Sequence, residues 1–416
     1  MTSKSTLLEM PLPPLGRPEA TGRLHWRRGA RVAAAVFFVI SMFIPLVGAA
    51  MHWDPVQSHE NRALAKLPGM PRSFQQLTRF SGFMLGYYRD HFGFRNALIR
   101  ALTLVRFHGG LALDQSTRII IGKDKWLYYP PSNQNLLADR NLDPFTSEQL
   151  DQWQQLLERR YWFCASHGIR FLVLIPPDKQ SVYPEFMPEE FSRLGPQSRL
   201  DQLIERLRLT HSPVDLLDLR PALLQAKKYH RVYFKTDTHW NDYGAFASYP
   251  VILHEINRLL GTKMVPQPAS DFIATSSVQS GDLARFMNLY YEYYEDWICF
   301  TPRHPLVPGF FPPDNPIPPP LTQGDPRGPT LDFIHDSFGN RLGPYLAPHF
   351  RRINWHWTNV LSGPLVLQAK PDLLLDEFLE RVLYLAVPTD MQDVGDTPLQ
   401  PRQEYVHDAH DNHGAG

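Results

Sequence analysis

"IRFLVLIPP", residues 169–177, is apolar apart from Arg170. A near-continuous apolar run of this length suits a strand buried on both faces of a sheet. Working outward, Ser147 is placed to cap a helix running through His167. Glu148 sits in its first turn and Gly168 at its stop. A helix near 198–208 leads to "PVDLLDL" (213–219), a second candidate parallel strand. A short helix near 221–228 precedes "VYFKTDTHWN" (232–241), whose first three residues read as a strand. "DYGAFASYPVILHEINRLL" (242–260) reads as a helix capped by Asn241 or Asp242. "LDFIHDSFGN" (331–340) reads as an apolar strand ending in a turn and a helix start. "LLLDEFLERVLYL" (373–385) reads as an amphipathic last helix. Strands alternating with helices imply an α/β fold, with a largely parallel sheet and helices on both faces. Ligands gather at the carboxyl ends of strands in such sheets. "TDTHWN" and "HDSFGN" are the polar segments expected there.

Composition narrows the class. The chain has 416 residues, 43% apolar and 20% charged, an ordinary globular balance. Lys plus Arg equals Asp plus Glu, at 42 each, so no global charge points to nucleic acid. The 39 prolines imply long ordered loops, and eleven fall within 301–330, which reads as a loop. Cys164 and Cys299 fit no metal spacing and no disulfide framework, although they are free to pair in an oxidising compartment. The tail "HDAHDNH" (407–413) reads as a solvated end.

The N-terminal part reads as an anchor. Val32–Met51 contains twenty residues without a charge, enough helix to cross roughly 30 Å of hydrocarbon. Lys4, Arg17, Arg23, Arg27, Arg28 and Arg31 precede it, with only two acids. That bias keeps the N-terminus in the cytoplasm and sends the rest across. A cleaved signal peptide is the competing reading. The expected organisation is a cytoplasmic segment (1–31), a transmembrane anchor (32–51) and an exported connecting region (52–110). A catalytic domain (111–385) and a disordered tail (386–416) follow.

The chemistry rests on three side chains. Ser337 lies at the expected strand-to-helix turn, where free backbone N–H groups can stabilise an oxyanion. Ser is a weak nucleophile until a base takes its proton. His239 is the candidate base. Asp237, two residues earlier, can hold the imidazole tautomer. Asp-x-His is also a chance pattern in a chain with seventeen histidines. Asp-Ser before a helix is also an ordinary cap. Asp237 and His239 could instead ligate a metal, but no tight partner cluster is apparent, and no metal or other cofactor is expected.

"TDTHWN" resembles the Asp-x-His-Trp motif of the alginate O-acetyltransferases (AlgJ/AlgX-like), relatives of the SGNH hydrolases. Further segments resemble that family in order: "ENRALAKLP" (60–68), "DHFGFRNALI" (90–99), "IIIGKDKWLYY" (119–129), "IPPDKQSVYPEFMP" (175–188), "GDLARFM" (281–287) and "AKPDLLLDEFLER" (369–381). The resemblance implies an SGNH-hydrolase-like three-layer α/β/α domain, preceded here by one transmembrane helix. It implies a Ser337–His239–Asp237 triad that transfers acetyl groups to an alginate-like or cellulose-like exopolysaccharide. A membrane-bound O-acyltransferase partner would supply the acyl group, and the domain would lie in the periplasm, tethered to the inner membrane. An acetylesterase or a non-catalytic export subunit are the alternatives. The family's Gly before the Asp-Ser pair is His335 here, which puts rate and donor preference in question. Trp240 and Tyr243 are candidate sugar-contacting rings, with core packing as the other reading of Trp240. Lys179 and Tyr183 are candidate contacts to an acidic polymer, with a structural role as the alternative.

Overall fold

The structure is a computed structural model, and it describes residues 21–51, 53, 64–109, 119–129, 140–304 and 324–390. Most of the proline-rich loop, the tail after 390 and part of "ENRALAKLP" lie outside the described residues. The chain forms two compact units, residues 1–98 and 99–416.

The first unit is helical. α1 (Thr21–Ala50) contains an apolar stretch, Ala30–Ala49, long enough to cross a membrane. α2 (Phe74–His91) is capped by Ser73, whose side chain accepts the Gln76 N–H. α2 ends at Phe92, and α3 (Arg95–Gly109) starts after Gly93 and Phe94. A Cβ on Gly93 would lie 2.1 Å from the Pro45 carbonyl oxygen and 2.6 Å from the Ala49 nitrogen. Only glycine permits that approach, so the α2–α3 corner sits against the C-terminal end of α1.

The second unit carries the sheet. A small ribbon comes first, β1 (Ile120–Ile121) paired antiparallel with β2 (Leu127–Tyr128). α4 (Ser147–Ser166) follows. Its cap is Thr146 rather than the expected Ser147, because Thr146 and Gln149 form a reciprocal capping box. Gly168 takes positive φ after the helix, where a side chain would strain. β3 (Arg170–Ile175) is buried after its first residue. α5 (Lys179–Val182), α6 (Arg199–Leu209), β4 (Leu216–Asp218), α7 (Arg220–Ala226) and α8 (Asp242–Leu260) come next. Asn241, not Asp242, caps α8 by accepting the Gly244 N–H.

Two eight-residue strands, β5 (Phe272–Gln279) and β6 (Glu295–Pro302), form an antiparallel hairpin with α9 (Asp282–Phe286) between them. β7 (Thr330–His335), α10 (Gly343–Leu346), β8 (Arg352–Trp357), α11 (Gly363–Ala369) and β9 (Leu373–Glu377) complete the unit. The main sheet is entirely parallel, in the order β4-β3-β9-β7-β8. α4 packs on β3 and α6, and α8 on β3 and α7, giving an α/β/α architecture. Burial of β3, β7 and β9 on both faces explains their near-continuous apolar sequences.

Two expectations are corrected. Residues 373–385 do not form a last helix. The first five are β9, the central strand, and Glu380–Tyr384 is a 3-10 turn. Lys370, in the left-handed region, and Pro371 break the preceding helix and let the chain extend. Residues 232–234 are not a sheet strand either. They make a single antiparallel bridge, Tyr233 to Trp240, at the neck of a buried loop.

Candidate active site

The neck holds residues 235–239 as a loop. The Asn241 N–H donates to the Val232 carbonyl at 3.0 Å, closing it beside the Tyr233–Trp240 bridge. Lys179 organises its interior. Its Nζ donates to the carbonyls of Phe234 (2.9 Å), Lys235 (3.2 Å) and Asp237 (2.6 Å). On another side, Glu295 of β6 accepts the Thr236 N–H at 2.7 Å and its hydroxyl at 2.5 Å. Asp282, at the start of α9, accepts the Thr238 N–H at 2.7 Å, and Arg381 donates to the Thr238 hydroxyl at 2.9 Å. Four separate segments thus fix a stretch that no ladder holds. Gly281 completes it, since a Cβ there would lie 2.5 Å from the Asp237 Cβ.

The second component is the turn after β7. The Asp336 side chain accepts the Phe338 N–H at 2.8 Å, so the chain turns around Ser337. The Asp336 N–H in turn donates to Glu377 Oε2 at 3.1 Å, at the end of β9. Ser337 therefore sits at the carboxyl edge of the parallel sheet. It is followed by a 3-10 turn (Gly339–Leu342) and the four-residue α10. The expected helix start is thus a short one, and its dipole is correspondingly small.

The loop and the turn meet. His239 Nε2 lies 2.8 Å from Ser337 Oγ, and Nδ1 lies 2.6 Å from Asp237 Oδ1. The Asp237 Oδ1 also accepts the His239 backbone N–H at 2.9 Å, and Oδ2 accepts the Asp282 N–H at 2.9 Å. This arrangement lets an imidazole take a hydroxyl proton while the acid holds its other nitrogen.

Electrostatics favour the pair. Burial alone would raise the Asp237 carboxyl, but the charge and hydrogen bond of His239, with two backbone donors, hold it well below the usual range. Burial opposes a charged His239. The charge and hydrogen bond of Asp237, then the charge of Asp282, outweigh it and raise the imidazole above its ordinary value. Asp282 is pushed up to about 6 by burial and by the nearby Asp237 charge. Its Oδ2 is 3.7 Å from His239 Nδ1.

Among the described residues, Asp237, His239 and Asp282 are the one group whose ligand atoms could meet around a metal ion, all lying within 4.8 Å of one another. Their atoms are largely committed to each other and to the Thr238 N–H. The cluster therefore fits a hydrogen-bonded site better than an ion's donor set.

The other candidate contacts are placed differently. Trp240 is fully buried, and its indole N–H donates to the Phe338 carbonyl at 3.2 Å. Lys179 is buried on loop carbonyls, with its amine lowered to about 8 by burial. Tyr183 is buried, and its hydroxyl accepts the Val232 N–H at 2.9 Å. None of these three presents a surface to a polymer. Tyr243 is partly exposed and stacks on His230 at 4.2 Å. His335 is buried against Phe333, Trp355 and Trp357, and its Nδ1 pairs with the Asp336 carbonyl at 2.7 Å. Its ring packs on Trp355 and Trp357 of β8. Cys164 and Cys299 are both free.

Sequence reasoning assigned no role to Asp282, Glu377 or Arg381, although all three lie in quoted segments. Glu295 and Gly281 were also passed over as supports. Only the family-like segment "GDLARFM" (281–287) drew notice to Gly281 and Asp282.

Residues 119–295 match the family model described as SGNH hydrolase-like domain, acetyltransferase AlgX. That span contains Asp237, His239 and Asp282, and Ser337 lies beyond it. Sheet, site and match together define an acyltransferase with an SGNH hydrolase-like domain.

The chain resembles the alginate O-acetyltransferase family. It is 26% identical over 330 residues to the probable alginate O-acetylase AlgJ of Pseudomonas aeruginosa, covering 69% of this chain and 74% of that protein. The corresponding protein of Pseudomonas putida is 26% identical over 175 residues, covering 41% of this chain and 42% of the relative. Among solved structures, the O-acetyltransferase domain of Pseudomonas putida AlgJ is similar with a TM-score of 0.46 and 18% identity, over 69% of this chain and 96% of that one. Bacillus cereus PatB1 is similar with a TM-score of 0.45 and 16% identity, over 64% and 96%.

Proposed function

We propose that this protein is a membrane-anchored, exported O-acetyltransferase. Ser337, His239 and Asp237 carry an acetyl group to hydroxyls of an exopolysaccharide. The observation that carries the reading is the chain of contacts from Ser337 Oγ to His239 Nε2 at 2.8 Å, and from Nδ1 to Asp237 at 2.6 Å. The likeness to alginate O-acetylases supports the acetyl group and a polysaccharide acceptor. Alginate-like or cellulose-like polymers are the acceptor class.

The cycle has two steps. His239 takes the Ser337 proton as Oγ bonds to the acyl carbon, and the leaving group departs with that proton. A sugar hydroxyl then gives its proton to His239 and attacks the acyl-Ser ester, and Ser337 recovers the proton as the ester breaks. Asp237 keeps Nδ1 protonated throughout and offsets the imidazolium charge. Water must be kept from the acyl-Ser ester, or the product is free acetate.

The apolar stretch Ala30–Ala49 and the basic residues before it support an inner-membrane anchor with the domain in the periplasm. An exported enzyme lacks a supply of cytoplasmic acyl thioester, so a membrane-bound O-acyltransferase is the proposed donor partner.

The test gives the purified protein a model acetyl ester, with and without oligosaccharides. Acetylated sugar that is lost in Ser337→Ala supports transfer. Acetate release indifferent to every sugar makes the enzyme an esterase. Full transfer by Ser337→Ala overturns the proposal.

A further inference from the structure

α2 has no buried residue, although eight of its 18 residues are apolar. At 100° per residue, its exposed Phe74, Leu77, Leu85 and Tyr88 fall on one stripe, with exposed Ser81 between them. Phe80, Met84 and Tyr87 lie to one side and are only partly exposed. That side adjoins the segment before the helix, where the Asp90 carboxylate accepts the Ala65 N–H at 2.7 Å. Thr78, Arg89, Gln75 and Arg79 occupy the other flank, and Phe83, also exposed, lies on the far face of the helix. A soluble helix with such a stripe would turn it inward. This one faces out.

Two further facts identify what covers it. The α2–α3 corner touches the exit end of α1, because Gly93 packs on Pro45 and Ala49, within the apolar stretch itself. The C-terminal end of α2 is therefore held at the depth where that stretch ends. The surrounding segment is also cationic. Between residues 64 and 98 lie Lys66, Arg72, Arg79, Arg89 and Arg95, against a single acid, Asp90. A basic amphipathic helix with an aromatic and aliphatic stripe, ending at a membrane exit, has the chemistry of a helix lying in an anionic lipid interface.

We propose that α2 lies along the surface of the bilayer that α1 crosses, with Phe74, Leu77, Leu85 and Tyr88 in the acyl boundary of an anionic leaflet. This rests on the anchor reading above. The catalytic unit is then joined to a surface-bound helix rather than to a free tether.

The test places a nitroxide label in the full-length protein, in vesicles of phosphatidylglycerol with phosphatidylcholine. Cys299→Ser removes the half-exposed native thiol, and Cys164 stays because burial pushes its thiol up and shields it. Labels go on Leu77→Cys, Leu85→Cys, Gln75→Cys and, within the span, Ile40→Cys. Collision with oxygen against a water-soluble nickel chelate reports depth at each. The proposal expects Ile40 deep, Leu77 and Leu85 at the acyl boundary with most nickel collision lost, and Gln75 in water. Adding Arg79→Gln and Arg89→Gln, or using neutral lipid alone, should return Leu77 and Leu85 towards water. If Ile40 is deep while Leu77 and Leu85 are as wet as Gln75, the anchor stands and this proposal falls. In that case a protein partner is left to cover the stripe. If Ile40 itself is in water, both fall.

Discussion

The indole N–H of Trp240 donates to the backbone carbonyl of Phe338 at 3.2 Å. Trp240 follows the base and Phe338 follows the nucleophile, so one side chain ties the two halves of the site together. Trp240→Phe removes this bond and leaves the Phe338 carbonyl with the Arg341 N–H alone, at 3.3 Å, a loss of about 0.5–1.5 kcal/mol. We expect kcat to fall on the order of tenfold with KM changed by less than about twofold. A ring that contacts sugar would move KM instead, and steady-state kinetics with an oligosaccharide acceptor separates the two.

Catalysis needs His239 neutral. Its imidazole is raised above the ordinary value, chiefly by Asp237 against the opposing effect of burial. Activity should therefore climb with pH through a midpoint above that of a free imidazole. Asp237→Asn removes the charge that raises it, so the midpoint should move down in pH while the rate drops by about 10³–10⁴. Asp282→Asn should move it in the same direction by less, since that carboxyl is farther, at 3.7 Å. A pH–rate profile of kcat/KM for the three proteins reads these midpoints directly.

Gly281 presses on the Asp237 Cβ and backbone with no room for a methyl group. Its φ is ordinary, so the constraint is purely steric. Gly281→Ala must displace Asp237 and with it the imidazole. A misplacement of about 1 Å can cost on the order of 10²-fold in rate. We expect that loss in kcat with the fold retained, checked by circular dichroism. Unchanged kcat would mean that the loop shifts without disturbing the base.

Glu377 is fully buried behind the nucleophile turn, and burial, then the charge of Asp336, raises its carboxyl well above 4.5. The sign follows from linkage. Below about 4.5 both states carry a neutral acid. Above it the unfolded chain ionises first, so stability falls until the folded group also ionises. Glu377→Gln keeps an acceptor for the Asp336 N–H and removes the titration. Its stability relative to the parent should therefore improve as pH rises from about 5 to about 8, as measured by urea denaturation. A constant difference would place the ionisation elsewhere.

The parallel sheet was legible where a strand's apolar run was bounded by clear helix signals. β3 lies between Gly168 and a proline pair, and β7 ends in a polar turn. α4 and α8 were legible from their caps to within one residue. β9 was not, because Leu373, Leu374, Leu375, Phe378 and Leu379 suit a buried strand and a helix face equally well. The β5–β6 hairpin was also missed, since most of β5 is exposed and polar and carries no alternation. Within the site, Asp237 and His239 stood out because they are adjacent in sequence. Lys179, Asp282 and Glu295 act on the same loop from distant positions, and their roles exist only after folding. Burial turned Lys179, a candidate contact to an acidic polymer, and Trp240, a candidate sugar contact, into supports, and no spacing rule distinguishes those uses.

β9 lies between β3 and β7 in the sheet, although it is the last strand among the described residues. The strand that leads to the nucleophile reaches β3 and β4 only through residues 373–377. An emerging chain can already hold Asp237, His239 and Ser337 and still have no assembled site, because β9 is made after all three. The turn that bears Ser337 is braced only once β9 has slid between its neighbours and brought Glu377 to the Asp336 N–H.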